Sequence, residues 1–429
     1  MTVFFIIFIC IIFAYIFWRI EKKVLNPVTV FCSIWTVITF LSSLELYGVY
    51  KTSDDSYFII FIGIVSYIVG AFLSIYGIKW KKKKLISTEK NSINYSILYF
   101  LGVLALIFLL FQFSETLSLL SQGYDMAHIR YLYTGNDLNS LRTSVFRVVM
   151  NDSLCTPMVY LISAVVVVHI FRGNRDKKLI FLALLLVFLS VFNTAGRAIL
   201  LWVIIYLFYG MSVYGKTFHL SPGMKKIMVF SIFAVGILFF GVTQSRLGKE
   251  YNILQQGYLY FATPIKFFDV QVERINSLYG DVVGLGSASL YGFIYIIISL
   301  LRIFGIISAN PEFLENIRYL SFSMLEDTVN IGNNVRMNAY ATIFFQPYID
   351  GRILGVVIEL LLFGFIVGYA YRKAYLYKSD RWVVIYLLLS QKVVFSMVRF
   401  YFTQPSQAIC LIFAFLITMR KIKFGRKKK

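Results

Sequence analysis

Residues 2–18 read TVFFIIFICIIFAYIFW, and Arg19, Lys22 and Lys23 follow within one turn. The run carries no charge and closes on Trp18. A helix crossing the ~30 Å hydrocarbon core needs roughly 20 mainly apolar residues. In lipid the backbone must satisfy its own hydrogen bonds, which a helix does internally. This run therefore reads as a membrane-spanning helix with an interfacial tryptophan and a basic flank. It has neither a basic stretch before it nor an A-x-A cleavage site, so a retained helix is expected rather than a removed signal peptide.

The same pattern recurs along the chain. Apolar runs of this kind cover 2–18, 28–47, 57–78, 94–113, 148–171, 179–195, 198–214, 227–243, 353–371, 382–398 and 405–419. The expected fold is all-α, a single polytopic membrane domain over 1–429 with about eleven transmembrane helices. Placing the N-terminus outside puts 19–27, 79–93, 172–178, 215–226, 372–381 and 420–429 inside. Those segments hold most of the 42 Lys and Arg residues, including Lys81 to Lys84 and Lys427 to Lys429. Clustering on one face is the positive-inside pattern. The C-terminus is then cytoplasmic.

This arrangement leaves two long outer segments, 114–147 and 244–352. The second lies between helices 8 and 9 and contains the apolar run SASLYGFIYIIISLLRIFGIIS (287–308). A crossing there would turn Arg372, Lys373 and the basic tail outward. An interfacial or re-entrant helix near 287–308, with Arg302 at the headgroups, is expected instead. Trp18, Trp80 and Trp382 fall at predicted helix ends, where interfacial rings sit.

Composition agrees. The chain is 59% hydrophobic and only 15% charged, too apolar for one soluble core. The net charge of +21 lies in short loops, so membrane lipids and not nucleic acid are the expected partners. Cys10, Cys32, Cys155 and Cys410 all fall in apolar runs without a CxxC spacing, so neither a disulfide framework nor a metal site is expected. No HExxH, P-loop, GxSxG or DxD motif stands at a helix or loop start, which argues against a zinc protease, an ATPase or a nucleotide-sugar transferase.

Chemistry must come from charges near the membrane and in the outer segments. Glu359 and Lys392 fall inside the ninth and tenth spans and could pair across them; Asp152 lies near the outer end of the fifth. Four outer arginines stand out. Arg246 opens the large loop, Arg197 sits in the short turn AGRAILL, Arg130 in HIRYLYTGND and Arg336 in GNNVRMNAY. Guanidinium binds phosphate bidentately and stays charged, so these could form an anion site; each could equally rest among headgroups or in a surface ion pair. A glycosyl transfer also needs a base. The large loop offers Glu250, Asp269, Glu273, Asp281, Glu312, Glu315, Glu326, Asp327 and Asp350. Glu326 and Asp327 are preferred because the polar run NIGNNVRMN follows them closely. His128 is the one outer histidine. The aromatic stretch GYLYFATPIKFF (257–268), with Gly257 and Tyr258, could stack on sugars or anchor in the interface.

The layout resembles the Wzy-type family of O-antigen or oligosaccharide repeat unit polymerases. The shared features are Arg246-x10-Gly257, NTAGRAILL with Arg197, and the stretch from Asn338-AYATIFFQPYI-Asp350-Gly351 through Gly355 to Gly364 and Gly368. This chain departs from the family pattern by reading Asn-Ala-Tyr-Ala-Thr and Asp-Gly-Arg-Ile-Leu-Gly there. The resemblance implies the bacterial cytoplasmic membrane and a metal-independent lipid-sugar transferase that needs no cofactor. It implies a reaction in which a glycan on undecaprenyl pyrophosphate is transferred to the end sugar of a fresh lipid-linked repeat unit. Arg246, Arg197, Glu326 and Asp327 would then be catalytic. Arg130, Gly257, Tyr258, Arg336 and Asn338 would bind substrate. The implied partners are undecaprenyl-pyrophosphate-linked oligosaccharides, a flippase and a chain-length regulator. Two alternatives remain: an O-antigen ligase-like transferase, against which the histidine-free large loop weighs, and a lipid-linked oligosaccharide flippase.

Overall fold

The structure, a computed structural model, describes residues 2–80, 93–134, 145–174, 176–194, 196, 198–215 and 253–419. In chain order the longer helices are α1 (Thr2–Glu21), α2 (Pro27–Ser43), α3 (Asp54–Phe72), α4 (Tyr95–Ser121), α5 (Met126–Thr134), α6 (Val145–Met150), α7 (Thr156–Arg172), α8 (Lys177–Thr194), α9 (Ala198–Tyr214), α10 (Ile253–Leu278), α11 (Tyr291–Ile303), α12 (Glu312–Arg318), α13 (Phe345–Tyr377), α14 (Asp380–Val394) and α15 (Pro405–Ile417). One antiparallel hairpin, β1 (Val329–Gly332) with β2 (Val335–Met337), is the sheet among the described residues.

The chain is a membrane-embedded, helical protein. Among the described residues, six helices are long and apolar enough to cross a membrane: Thr2–Glu21, Asp54–Gly77, Tyr95–Ser121, Phe146–Arg172, Lys177–Thr194 and Phe345–Tyr377. Pro27–Ser43, Ala198–Tyr214 and Pro405–Ile417 are apolar but shorter. The apolar run 227–243 lies outside the described residues. Apolar side chains are exposed along these helices. On α1, Phe4, Phe8, Ile11 and Tyr15 are exposed while Ile6, Cys10 and Phe17 are buried. That is a helical spacing with the polarity of a soluble helix removed, as lipid requires.

Contacts sort the chain into two compact units. The first comprises Met1–Lys79, Ile227–Arg372 and Leu389–Ile409. Within it, small residues let α3 and α13 meet backbone to backbone. A Cβ on Gly70 would stand 1.9 Å from the Leu361 carbonyl oxygen, and one on Gly364 2.1 Å from that of Tyr67. Lipid gives helices no hydrophobic reason to associate, so close backbone packing supplies the attraction. Aromatic rings fill the space beside this seam: Phe31 stacks on Tyr67 at 3.9 Å, and Trp35 meets Phe344 at 4.8 Å. Trp35 also donates its indole N–H to Ser396 Oγ at 3.1 Å.

The second unit comprises Trp80–Lys226, Lys373–Leu388 and Cys410–Lys429. Its centre is α7, nearly every residue of which is buried. Tyr160 packs edge-on against Trp202 at 4.3 Å. At the basic end of α7, Arg172 pairs with Asp380 at 2.9 Å and donates to the Lys378 carbonyl at 2.6 Å.

Two segments gain detail beyond the sequence expectation. Helix α4 runs on to Ser121, and α5 follows, so the described part of 114–147 is mostly helical. Leucines continue past Phe113, and Thr116 satisfies its hydroxyl on the Gln112 carbonyl at 3.0 Å, so nothing stops the helix. The run 287–308 forms only the 13-residue α11. At 1.5 Å per residue it reaches about 20 Å, short of a ~30 Å crossing. Its start is buried at Tyr291, while Ile297, Leu300, Phe304 and Ile306 beyond it are exposed.

Candidate functional site

The polar residues of the first unit gather at two places. The first lies between the start of α10 and the hairpin. Gln255, Gln256, Leu259, Tyr260 and Thr263 share one face of α10, being spaced three, four and seven apart. The hairpin and the chain leaving it contribute Asn334, Val335, Arg336, Met337, Asn338 and Tyr340. Between them lies a cavity of about 310 Å³.

Local backbone geometry aims these side chains. Asn334 takes φ 58° at the hairpin tip, which asparagine tolerates. Ala339 takes φ 70°, a conformation an alanine adopts at a cost of ~1 kcal/mol or more. It stands between Asn338 and Tyr340, and its turn brings both to the cavity. The strained residue is held from both sides: its N–H donates to the Leu325 carbonyl at 2.7 Å, and its own carbonyl accepts from Arg399 at 3.4 Å. Thr342, also at positive φ (69°) and fully buried, continues the strain. A β-branched residue in that region is rare, and such strain concentrates at functional sites.

The cavity has a distinct chemistry. Tyr260 and Tyr340 meet edge to face at 5.9 Å. Two glutamines and two asparagines offer carboxamides, each both donor and acceptor. Arg336 is exposed, and its guanidinium makes no hydrogen bond or ion pair with any described residue. Among the described residues no carboxylate belongs to the lining.

The second place is the break in α13. Gly351 and Arg352 leave helical geometry there, Arg352 at φ 53° and ψ −134°. The buried Asp350 carboxylate accepts the backbone N–H groups of Ala288 and Ser289, both at 2.8 Å, just before α11. Arg352 donates to the carbonyls of Tyr279, Gly280 and Val282 at 3.0, 2.8 and 3.1 Å, beyond the end of α10. Glu359, one helix face along, stands beside Asp350 and Ser289, and its Oε2 is buried without a hydrogen bond. Lys392, expected as its possible partner, instead donates to Gln407 Oε1 at 2.6 Å.

The expected site residues scatter among these places. Arg336 and Asn338 line the cavity. Gly257 lies on α10 beside it but has open space around it. Tyr258 turns the other way: its hydroxyl donates to the Leu41 carbonyl and accepts the Leu46 N–H, both at 2.9 Å, which fixes α10 to the end of α2. Asp327 pairs with Arg274 at 3.2 Å. Glu326 is exposed, and its carbonyl accepts from Asn338 at 3.4 Å. Arg130 belongs to the second unit, where its Nη1 comes within 3.8 Å of the point a Gly196 Cβ would occupy. It therefore stands beside Gly196. Arg197 and Arg246 themselves lie outside the described residues. His128 is exposed and stacks on Tyr124 at 4.8 Å.

Other loop carboxylates are structural. Asp269 bonds Lys266 at 2.7 Å and the hydroxyls of Ser53 and Ser56 at the start of α3. Burial pushes its carboxyl up, but the lysine and the two hydroxyls outweigh that and hold it below the usual range. Glu315 is likewise held low, chiefly by Asn310 and also by Arg318. No group of three or more His, Cys, Asp or Glu able to hold a metal ion occurs among the described residues.

Sequence reasoning missed most of the cavity. Tyr260 and Thr263 showed only as part of an aromatic stretch, Gln255 and Gln256 only within the ten residues between Arg246 and Gly257, and Tyr340 only as part of a motif. A helical projection of 255–263 would have grouped the first four. Compared with protein-family models, curated proteins and solved structures, the chain matches none.

Proposed function

We propose that this protein polymerises lipid-linked oligosaccharide repeat units at the outer face of a bacterial cytoplasmic membrane, through eleven spans with the N-terminus outside. The observation that carries the reading is the cavity between α10 and the hairpin. Carboxamides match the donor and acceptor hydroxyls of a sugar, and tyrosine faces suit its C–H surfaces. The cavity is built from 255–263 and 334–340, both within the segment assigned to the outside, where a glycan would be met.

In the proposed reaction the hydroxyl oxygen of the acceptor sugar attacks the anomeric carbon of the donor glycan. The bond from that carbon to the pyrophosphate oxygen breaks, and undecaprenyl pyrophosphate leaves with the electron pair. The acceptor proton passes to a carboxylate, Glu326 or Asp327. Arg246 and Arg197 stabilise the charge growing on the leaving group; a preorganised cation does this without reorganising at the moment of reaction. Arg336 and Asn338 hold the glycan. Chemistry of this kind asks for fixed donors more than for a deep enclosed pocket.

The test is reconstitution of the full chain in liposomes with undecaprenyl-pyrophosphate-linked repeat units from its own host. A ladder of products differing by one repeat is expected. The Arg246→Ala protein should lose about 100-fold or more in rate while remaining folded. Movement of intact repeat units across the bilayer without lengthening would indicate a flippase. Transfer of finished chains to a different acceptor would indicate a ligase.

A further inference from the structure

We infer that the cavity selects a sugar bearing one negative charge, so that the repeat unit this protein extends contains an acidic residue such as a uronic acid. The inference rests on the polymerase reading and adds to it the chemical class of the sugar. Three observations carry it.

The first is charge balance. Among the described residues the lining contains one cation and no anion: of Gln255, Gln256, Tyr260, Asn334, Arg336 and Asn338, only Arg336 is charged. The second is that this cation is unspent. Other arginines of the unit are engaged, Arg274 by Asp327 at 3.2 Å, Arg318 by Glu315 at 2.8 Å and Arg352 by backbone carbonyls. The Arg336 guanidinium makes no hydrogen bond or ion pair with any described residue, though Asp327 and Glu326 lie only ten or so positions before it in the chain. The third is that β2 fixes its position. Arg336 pairs with Asn330 across the hairpin, so its backbone cannot drift from the cavity.

A pyrophosphate suits this lining less well. It carries more than one charge and calls for several cations, whereas four carboxamides around a single guanidinium match hydroxyls around a single carboxylate. The cavity volume of about 310 Å³ lies at the small end of ligand sites, in keeping with one sugar ring. Arg336 would hold the carboxylate through a bidentate pair while the amides take the ring hydroxyls.

The test has two measurements. The polymer that disappears on deleting the gene and returns on restoring it is hydrolysed and its sugars identified. An acidic sugar in every repeat is expected; a wholly neutral polymer overturns the inference and leaves the polymerase reading intact. If no polymer changes on deletion, the polymerase reading itself has failed. Second, full-length protein is assayed with the host's lipid-linked repeat unit. Arg336→Gln should raise KM about tenfold with kcat nearly unchanged, and Arg336→Lys should restore part of the loss. A fall in kcat at unchanged KM would place Arg336 on the leaving pyrophosphate and overturn the assignment.

Discussion

Arg336 and Arg352 lie in one stretch of chain and serve opposite ends. Arg352 sits at the break in α13 and spends its guanidinium on the carbonyls of Tyr279, Gly280 and Val282. Arg336 sits on the hairpin, exposed and bonded to no described residue. Their surroundings differ in the same sense. Around the break, Asp350 uses both carboxylate oxygens on the amides of Ala288 and Ser289. Around the cavity the described lining holds four carboxamides and one guanidinium, and the backbone is strained at Ala339. A saturated polar group holds a fold together, and an unsaturated one on a fixed backbone is available to a ligand. The distinction turns on partners, so residue type alone does not reveal it.

The contrast can be broken most severely at Asp350. Asp350→Ala leaves two buried amides without acceptors and frees the loop before α11. A loss of about 3 kcal/mol is expected, read as a lowered unfolding temperature in detergent. If thermal stability stays at the wild-type level, the break is no scaffold. Arg352→Met should cost somewhat less, about 2 kcal/mol, since the carbonyls it leaves are partly reached by solvent. Chain lengthening should weaken only as far as folding does in both variants.

Acid should act on the same scaffold more gently. Asp269, held below the usual carboxylate range, ties α10 to the start of α3. A carboxylate with a depressed folded value stabilises the protein fully above its unfolded value, and the contribution is lost as pH falls through the folded one. Stability should therefore drop on the acid side of the ordinary carboxylate range, and Asp269→Asn should flatten that drop. An unchanged acid limb in the variant would show that other groups control it. Arg336→Gln should move stability least, by less than about 0.5 kcal/mol, because it breaks no bond among the described residues. A large loss there would turn Arg336 into a second Arg352 and remove the contrast.

Much of the architecture could be read from the chain. The apolar runs at 2–18, 57–78, 94–113, 148–171, 179–195 and 353–371 all correspond to helices long and apolar enough to cross. Lipid demands length and apolarity, and both are local properties. The polar run before Arg336 and Asn338 likewise marked the hairpin side of the cavity. What escaped depends on pairing at a distance. Asp350 counted as one more loop carboxylate because the amides it caps lie more than sixty positions earlier. The break at Gly351 and Arg352 hid at the edge of an apolar run, since a positive φ at arginine leaves no mark in composition. The Tyr258 hydroxyl, bridging Leu41 and Leu46, likewise meets partners more than 200 positions earlier.

The most direct test of the central claim is a gel of surface glycan from cells lacking this gene, beside cells with it restored. Loss of long chains on deletion, with single repeats still attached to their acceptor, is the predicted result. An unchanged ladder of long chains in the deleted cells would contradict it.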